Sequence, residues 1–274
     1  MDDGVGKPIG SKVAAILAEQ ESIMSRYQEN SELSGINREA YSRTVAVSQE
    51  MSLILQSCDS FYKNTLGSFD AALLPVIKNK QKTFTLGTDT GSHFEYAMGW
   101  KNVTFDQQEG TVRFLSEETG LDLGGFGKGW AMEKIVGYLK RKGVGSAFIS
   151  FGESTICGIG GHPLGGPWQV NVPARGKGNS LLIELTNQAI SVSGLKVKES
   201  PQQKKVISHI YSPGMGQWVG EDKMVLVQSA SPLRAEVLST ACSAATDHQK
   251  MHILDAFKEE RFFVCEQEEW RKGI

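Results

Sequence analysis

The stretch Leu121–Leu139, LDLGGFGKGWAMEKIVGYL, constrains this chain more than any other. Asp122 is followed closely by Gly124 and Gly125, and Gly127 and Gly129 flank Lys128. Met132, Ile135, Val136 and Leu139 then recur at i, i+3, i+4 and i+7, the apolar stripe of an amphipathic helix. Lys140, Arg141 and Lys142 fall in its last turn and Gly143 follows, a normal helix stop. The spacing therefore predicts a glycine-rich loop feeding a helix N-terminus. Free backbone N–H groups and the positive end of the helix dipole suit such a place to a phosphate. Lys128 falls in the first turn, where a cation opposes the dipole unless an anion sits there too. The alternative is a strand-to-helix turn whose glycines allow close packing, and the motif alone does not choose between them.

A second informative segment is Ser231–Asp247. Ser231 is placed to cap a helix and Pro232 fits its first position. Glu236, Ser239 and Thr240 stand at i, i+3 and i+4, which puts a carboxylate and two hydroxyls on one helix face. All three are oxygen donors, suited to Mg²⁺ more than to zinc. The competing reading is a capped helix packed closely through small residues, Ala241, Ala244 and Ala245 among them.

Around these two segments the chain reads as alternating helices and short strands. A first helix is expected near Ser11–Arg26, followed by a polar loop, SRYQENSELSGIN, that carries Tyr27 and Leu33. Met51, Ile54, Leu55, Cys58 and Tyr62 line one face of a helix near Ser48–Thr65, and Gly67 closes it. In GSFDAALLP, Asp70 has a structural reading, capping or orienting a loop, and Lys78–His93 has loop composition. Asn102–Phe105 and Thr111–Phe114 alternate like a hairpin. Ser146–Phe151 reads as a buried strand. Trp168–Val172, Leu181–Leu185 and Ala189–Val192 read as successive antiparallel strands. A charged turn at Lys196–Lys205 leads to SHIYSPGMG, where His209 stands before a Pro/Gly turn. Met224–Val227 and Arg261–Glu266 are expected strands, with a helix near Gln249–Phe257 between them.

Composition narrows the functional classes. At 274 residues and a formal charge of −2, the chain has ample core and no basic stripe interleaved with aromatics, which disfavours nucleic acid as a partner. Cys58, Cys157, Cys242 and Cys265 lack metal-site or CxxC spacing and sit in apolar stretches, as buried free thiols do. No apolar run reaches membrane-spanning length. The opening MDDGVGKPIG has no basic n-region or apolar h-region. A cytoplasmic location is expected from the chain as written, and a periplasmic or membrane-anchored one if the N-terminus has been trimmed.

MSRYQENSELSGIN, GSFDAALLP, LDLGGFGKGWAMEK, GGHPLGGPWQVNVP, SHIYSPGMG and AEVLSTA occur in one order, and that order resembles the FAD:protein FMN transferases of the ApbE family. The resemblance runs from about Glu21 to Thr246. It implies one domain over 1–274 with an α+β fold, antiparallel sheets flanked by helices in a T-fold-like arrangement. It implies FAD as substrate, Mg²⁺ as cofactor, and transfer of FMN through a phosphoester to a threonine of an acceptor flavoprotein. Some members of the family hydrolyse FAD to FMN and AMP instead. Carried over by position, Tyr27, Ser31, Asp122, Gly124, Lys128 and Ile210 would contact the flavin nucleotide. Gly125, through its carbonyl, and Glu236, Ser239 and Thr240 would hold the metal, and His209 would be the base.

The chain departs from the family pattern at several of these places. Glu236 stands where aspartate is usual and Ser239 where aspartate is frequent. Ser212 occupies the place of an acid after His209. Lys78–Leu86 lacks the usual aromatic-glycine segment, and the family's opening Met-Gly-Thr strand has no counterpart in these residues. Three readings follow: a Mg²⁺-dependent flavin transferase, a Mg²⁺-dependent FAD pyrophosphatase, and a flavin-binding protein with a decayed metal site.

Overall fold

A computed structural model describes residues 3–78, 99–152, 154–174, 178–194, 196–200, 203–207, 210–219, 223–266 and 268–273. His209 and most of the expected loop Lys78–His93 lie outside these residues. The chain forms two compact units, one of residues 17–124 and one of residues 1–16 with 125–274. Helix α1, Asp3–Met24, contributes its first part to the larger unit and the remainder to the smaller.

In the smaller unit the polar stretch after α1 divides in two. Its first half is the expected loop, but its second half is helix α2, Glu32–Glu39. Ser31 caps α2 by accepting from the Ser34 N–H at 3.1 Å, and Leu33 and Ile36 are buried beneath it. A count of polar residues hides this helix because its buried stripe is only two apolar residues wide. Strand β1, Val45–Ala46, precedes helix α3, Gln49–Asn64, which Ser48 caps. Met51, Ile54, Leu55 and Cys58 form its fully buried face. Leu66 and Gly67 both take positive φ past the end of α3, and the Gly67 N–H returns to the Tyr62 carbonyl at 2.8 Å, a glycine-assisted stop. Strands β2, Val103–Asp106, and β3, Thr111–Phe114, form the expected hairpin, with β1 on the outer side of β3.

The larger unit is built on a six-stranded antiparallel sheet. Its strands are β4 (Ala147–Phe151), β5 (Thr155–Ile159), β8 (Gln188–Gly194), β13 (Met224–Ser229), β14 (Arg261–Glu266) and β15 (Glu269–Lys272), in the order β15-β14-β13-β8-β5-β4. The expectation of a buried strand at 146–151 is corrected: β4 is the last strand in that order, and Phe148 is substantially exposed. An apolar run does not reveal whether a strand has neighbours on one side or two. Strands β6 (Trp168–Pro173) and β7 (Ser180–Leu185) pair as a hairpin. Val170, Ile183 and Leu185 join Ile190, Leu226, Cys265 and Trp270 in one apolar cluster.

The expected charged turn at 196–205 is instead a hairpin of β9, Lys196–Ser200, and β10, Gln203–Ile207. A shorter pair, β11 (Tyr211–Ser212) and β12 (Gln217–Trp218), follows. On the opposite face of the six-stranded sheet lie helix α4, Gly127–Arg141, and helix α5, Pro232–Ala244, which pack on each other, while α5 also packs on β8 and β13. Met132 of α4 meets Cys157 and Ala189 there. Helix α6, Asp247–Ala256, begins with a reciprocal capping box between Thr246 and Gln249. The four cysteines are free and buried, in keeping with their apolar surroundings in the sequence. The architecture is α+β.

Candidate active site

Strand alternation decides which side chains meet α5. In β8, Ile190 belongs to the cluster with the β6–β7 hairpin, whereas Ala189 faces Met132 of α4. With a period of two, Ser191 and Ser193 share the Ala189 face, and Thr155 in β5 shares that of Cys157. Three hydroxyls thus stand under the helix that carries Glu236, Ser239 and Thr240.

Glu236 is at the centre of this arrangement and is almost wholly buried. Its Oε2 accepts from Thr155 Oγ1 and, at 2.9 Å, from Ser191 Oγ. Its Oε1 is ion-paired with Lys128 Nζ from the first turn of α4. A buried carboxylate is strongly disfavoured unless it is paired and hydrogen-bonded, and here both oxygens have partners. The glycine-rich motif suggests a phosphate opposite Lys128, yet the ammonium lies on Glu236. A lysine near the positive end of a helix is accommodated because this carboxylate is alongside.

Ser239 is fully buried, with its Oγ 2.9 Å from Ser193 Oγ and 3.0 Å from the Glu236 carbonyl. Thr240 Oγ1 donates back to the same carbonyl at 3.2 Å and lies 3.2 Å from Ser193 Oγ. Thr240 is half-buried. A Cβ on Gly125 would come within 3.2 Å of its Oγ1, so the glycine loop runs directly over this hydroxyl. Gly129 is tighter still: a Cβ there would lie 2.8 Å from Glu236 Cβ, Leu233 Cα and the Pro232 carbonyl oxygen. The glycines therefore serve close helix packing, and that packing is what brings Lys128 to Glu236. Phe126 ends the loop with no side-chain cap on α4.

Ile210 is buried, and its carbonyl accepts from the Val219 N–H at 2.9 Å. Ser212, in the place of the acid, donates to the Ala244 carbonyl at the end of α5.

In the smaller unit, Asp122 Oδ1 accepts from the Gly124 N–H at 2.7 Å and Oδ2 pairs with Arg26 Nε at 3.0 Å. The Arg26 guanidinium carbon lies 4.5 Å from the Tyr27 ring centroid, and its Nη2 is 2.6 Å from the Tyr27 hydroxyl. Tyr27 itself is 77% exposed, an aromatic face held outward by a cation stacked on it. Ser31 is buried and divided between capping α2 and donating to the Ser25 carbonyl. Tyr27, Ser31, Asp122 and Gly124 thus belong to one unit, and Gly125, Lys128, Ile210, Glu236, Ser239 and Thr240 to the other.

Thr155, Ser191, Ser193 and Arg26 do not stand out in the sequence. For the three hydroxyls the available signal is a polar residue at an inward position of an apolar strand, which is visible only once the inward face is known.

An α+β sheet thus carries an oxygen-rich helix face beside a glycine loop. Residues 4–263 match the ApbE family, and the chain belongs to that family. It is 25% identical over 226 residues to the FAD:protein FMN transferase of Chlamydia pneumoniae, covering 78% of this chain and 70% of that one. With the enzyme of the same name from Vibrio cholerae it shares 23% identity, over 91% and 77% of the two chains. Among solved structures, the flavin transferase ApbE from Vibrio cholerae superposes with a TM-score of 0.80 at 20% identity, covering 99% of this chain and 88% of that one. The ApbE protein of Thermotoga maritima gives 0.82 at 20% identity, covering 100% and 91%.

Proposed function

We propose that this chain is a Mg²⁺-dependent FAD:protein FMN transferase that attaches FMN through a phosphoester to a threonine of an acceptor flavoprotein. Family membership over residues 4–263 supports the reaction class. The single structural observation that carries the reading is the buried Glu236 carboxylate, held beside the first turn of α4 by Lys128, Thr155 and Ser191.

The donors present fit Mg²⁺. Glu236 supplies a carboxylate and Thr240 a half-buried hydroxyl over which the Gly125 loop passes; with the Gly125 carbonyl that the resemblance assigns, all are hard oxygens. Among the described residues no group of three or more His, Cys, Asp or Glu is placed to hold a metal. Mg²⁺ is commonly held by one or two carboxylates together with water and substrate phosphates, so one carboxylate suits a site that is completed by a pyrophosphate. When bound, the ion would draw charge from the phosphorus centre and steady the leaving group. Ser239, being fully buried and hydrogen-bonded to Ser193, acts by positioning the helix face.

The chain's own residues then divide the work. Asp122, tied to Arg26, fixes the Gly124 N–H, and Tyr27 offers an exposed ring for stacking. His209 is the base by resemblance. It takes the proton from the acceptor hydroxyl as that oxygen bonds to the FMN phosphorus, and the bridging P–O bond breaks to release AMP. A threonine hydroxyl is a poor nucleophile without such a base. General-base assistance is worth roughly a hundred- to ten-thousandfold.

The test combines AMP release from FAD with flavin labelling of a threonine acceptor, with and without Mg²⁺. His209→Ala should keep FAD affinity, measured by fluorescence quenching, and lose labelling by at least roughly a hundredfold. Equal labelling by the variant overturns the base assignment. AMP release without labelling of any acceptor would make the protein a pyrophosphatase, and neither activity would leave it a flavin-binding protein.

A further inference from the structure

The two oxygens of Glu236 are held in different ways. Oε2 is anchored by Thr155 and Ser191, short side chains on two buried strands, whose hydroxyls have little freedom to leave. Oε1 is held by Lys128, a long side chain that is one-third exposed while the Glu236 side chain is 4% exposed. One oxygen is thus fixed and the other faces an ammonium that can swing away. A buried carboxylate does not tolerate being left without a counter-charge, so whatever displaces Lys128 must itself be a cation. Thr240 Oγ1, one turn further along α5, donates to the Glu236 backbone carbonyl, and the Gly125 loop passes over that hydroxyl; these are hard oxygen donors on the same helix face as the carboxylate.

From this asymmetry we infer that Lys128 is the resident counter-cation of Glu236, and that a divalent metal binds by exchanging with it at Oε1 while Thr155 and Ser191 keep Oε2 in place. The inference rests on the metal site proposed above. The ammonium competes with the metal for the carboxylate, so the metal-competent form is only a fraction of the protein. Apparent metal affinity is lowered by that fraction. Once exchanged, Lys128 is freed at the first turn of α4, where an anionic phosphate would find both the ammonium and the helix N-terminus. Metal and phosphate binding are thereby coupled: the metal releases the cation that the phosphate uses.

The experiment measures Mn²⁺ binding to the whole chain without FAD, by electron paramagnetic resonance of free Mn²⁺. Lys128→Met is expected to bind Mn²⁺ at least about fivefold more tightly than the unmodified protein. Lys128→Arg, which keeps a cation, should bind no more tightly than the unmodified protein. Equal Mn²⁺ affinity in the Met variant and the unmodified protein overturns the exchange while leaving the metal site standing, and so does an Arg variant that binds as tightly as the Met variant. Absence of Mn²⁺ binding in every form without FAD overturns the exchange, while Mn²⁺ binding that appears only when FAD is added leaves the metal site standing. A second measurement needs no variant. Acetylation of the Lys128 amine, read by mass spectrometry, should rise several-fold when Mn²⁺ is added, while acetylation of Lys140 stays constant. An unchanged Lys128 rate with Mn²⁺ demonstrably bound overturns the inference.

Discussion

Asn37 brackets the backbone of Leu121 with both ends of its amide. Nδ2 donates to the Leu121 carbonyl at 2.9 Å, and Oδ1 accepts from the Leu121 N–H at 2.6 Å. Leu121 has no exposed surface, so these two backbone groups depend on Asn37 for their bonds. The next residue is Asp122, whose own N–H donates to the Ala71 carbonyl at 2.8 Å. Asn37 therefore sets where the Asp122–Gly124 turn begins. Asn37→Asp would replace the donor with an acceptor aimed at a carbonyl. Leaving buried polar groups unpaired costs about 1–3 kcal/mol each. We expect Asn37→Asp to lower stability by at least about 2 kcal/mol and to weaken FAD binding, with denaturant unfolding and flavin fluorescence as the readouts. Unchanged stability would show that Leu121 finds other partners.

Two glycines of α4 should respond in opposite directions. Replacing a helical glycine with alanine gains up to about 1 kcal/mol of helix propensity. At Gly129 the new Cβ would meet Leu233 Cα and the Pro232 carbonyl oxygen at 2.8 Å, both backbone atoms that cannot turn aside. Overpacking of this kind costs about 1–3 kcal/mol, so Gly129→Ala should destabilise. At Gly137 the Cβ meets only Arg141 Nη1 at 3.3 Å, the end of a flexible side chain, so Gly137→Ala should stabilise. Thermal unfolding of both variants checks the contrast, and the same sign for both would contradict it.

Asp70 should make stability depend on pH. Burial pushes its carboxyl up from 3.8 to about 6, against the opposing effect of the Trp100 and Ala72 N–H groups and Lys101. A carboxyl with a higher pKa folded than unfolded binds more protons in the folded state. Its stabilising contribution is thus full below 3.8 and is lost as pH rises through about 6. Asp70→Asn keeps an oxygen for the Ala72 and Trp100 N–H groups, which Oδ1 accepts at 2.7 and 3.1 Å, and removes the titration. Urea unfolding from about pH 4 to about pH 6 should therefore show a weaker decline in the variant. Parallel curves would assign the slope to other groups.

Glu236→Gln separates charge from shape. The amide is the same size, and its oxygen can still accept from Thr155 and Ser191. Lys128 loses its counter-charge, and the proposed metal loses its one carboxylate on this helix. Changes to groups that merely orient metal ligands cost about ten- to a hundredfold, so loss of the carboxylate itself should lower Mg²⁺-dependent AMP release at least roughly a hundredfold. Circular dichroism should show the fold retained. Full activity at an unchanged Mg²⁺ requirement would remove Glu236 from the metal site.

Local interactions make much of this protein legible from its residues alone. Ser48, Ser231 and Pro232 begin helices, and Gly67 and Gly143 end them. Met132, Ile135 and Leu139 point one helix face inward. Each of these effects acts within a turn or two of the chain, so neighbouring residues suffice to predict it. The same is true of Glu236, Ser239 and Thr240, which share a face by helical spacing alone. No local rule supplies the meeting of residues far apart in sequence. Lys128 reaches Glu236 because Gly129 lets α4 lie against α5. Thr155 and Ser191 reach the same carboxylate because β5 and β8 pair in a register that turns both toward the helices. A one-residue slip would turn them to the other face. Helices, their caps and the oxygen-bearing face of α5 are thus written into short runs of residues. Which cation that face meets, and the place of β4 at the edge of its sheet, are settled only by tertiary contacts. Pairing and burial join segments that carry no information about one another along the chain.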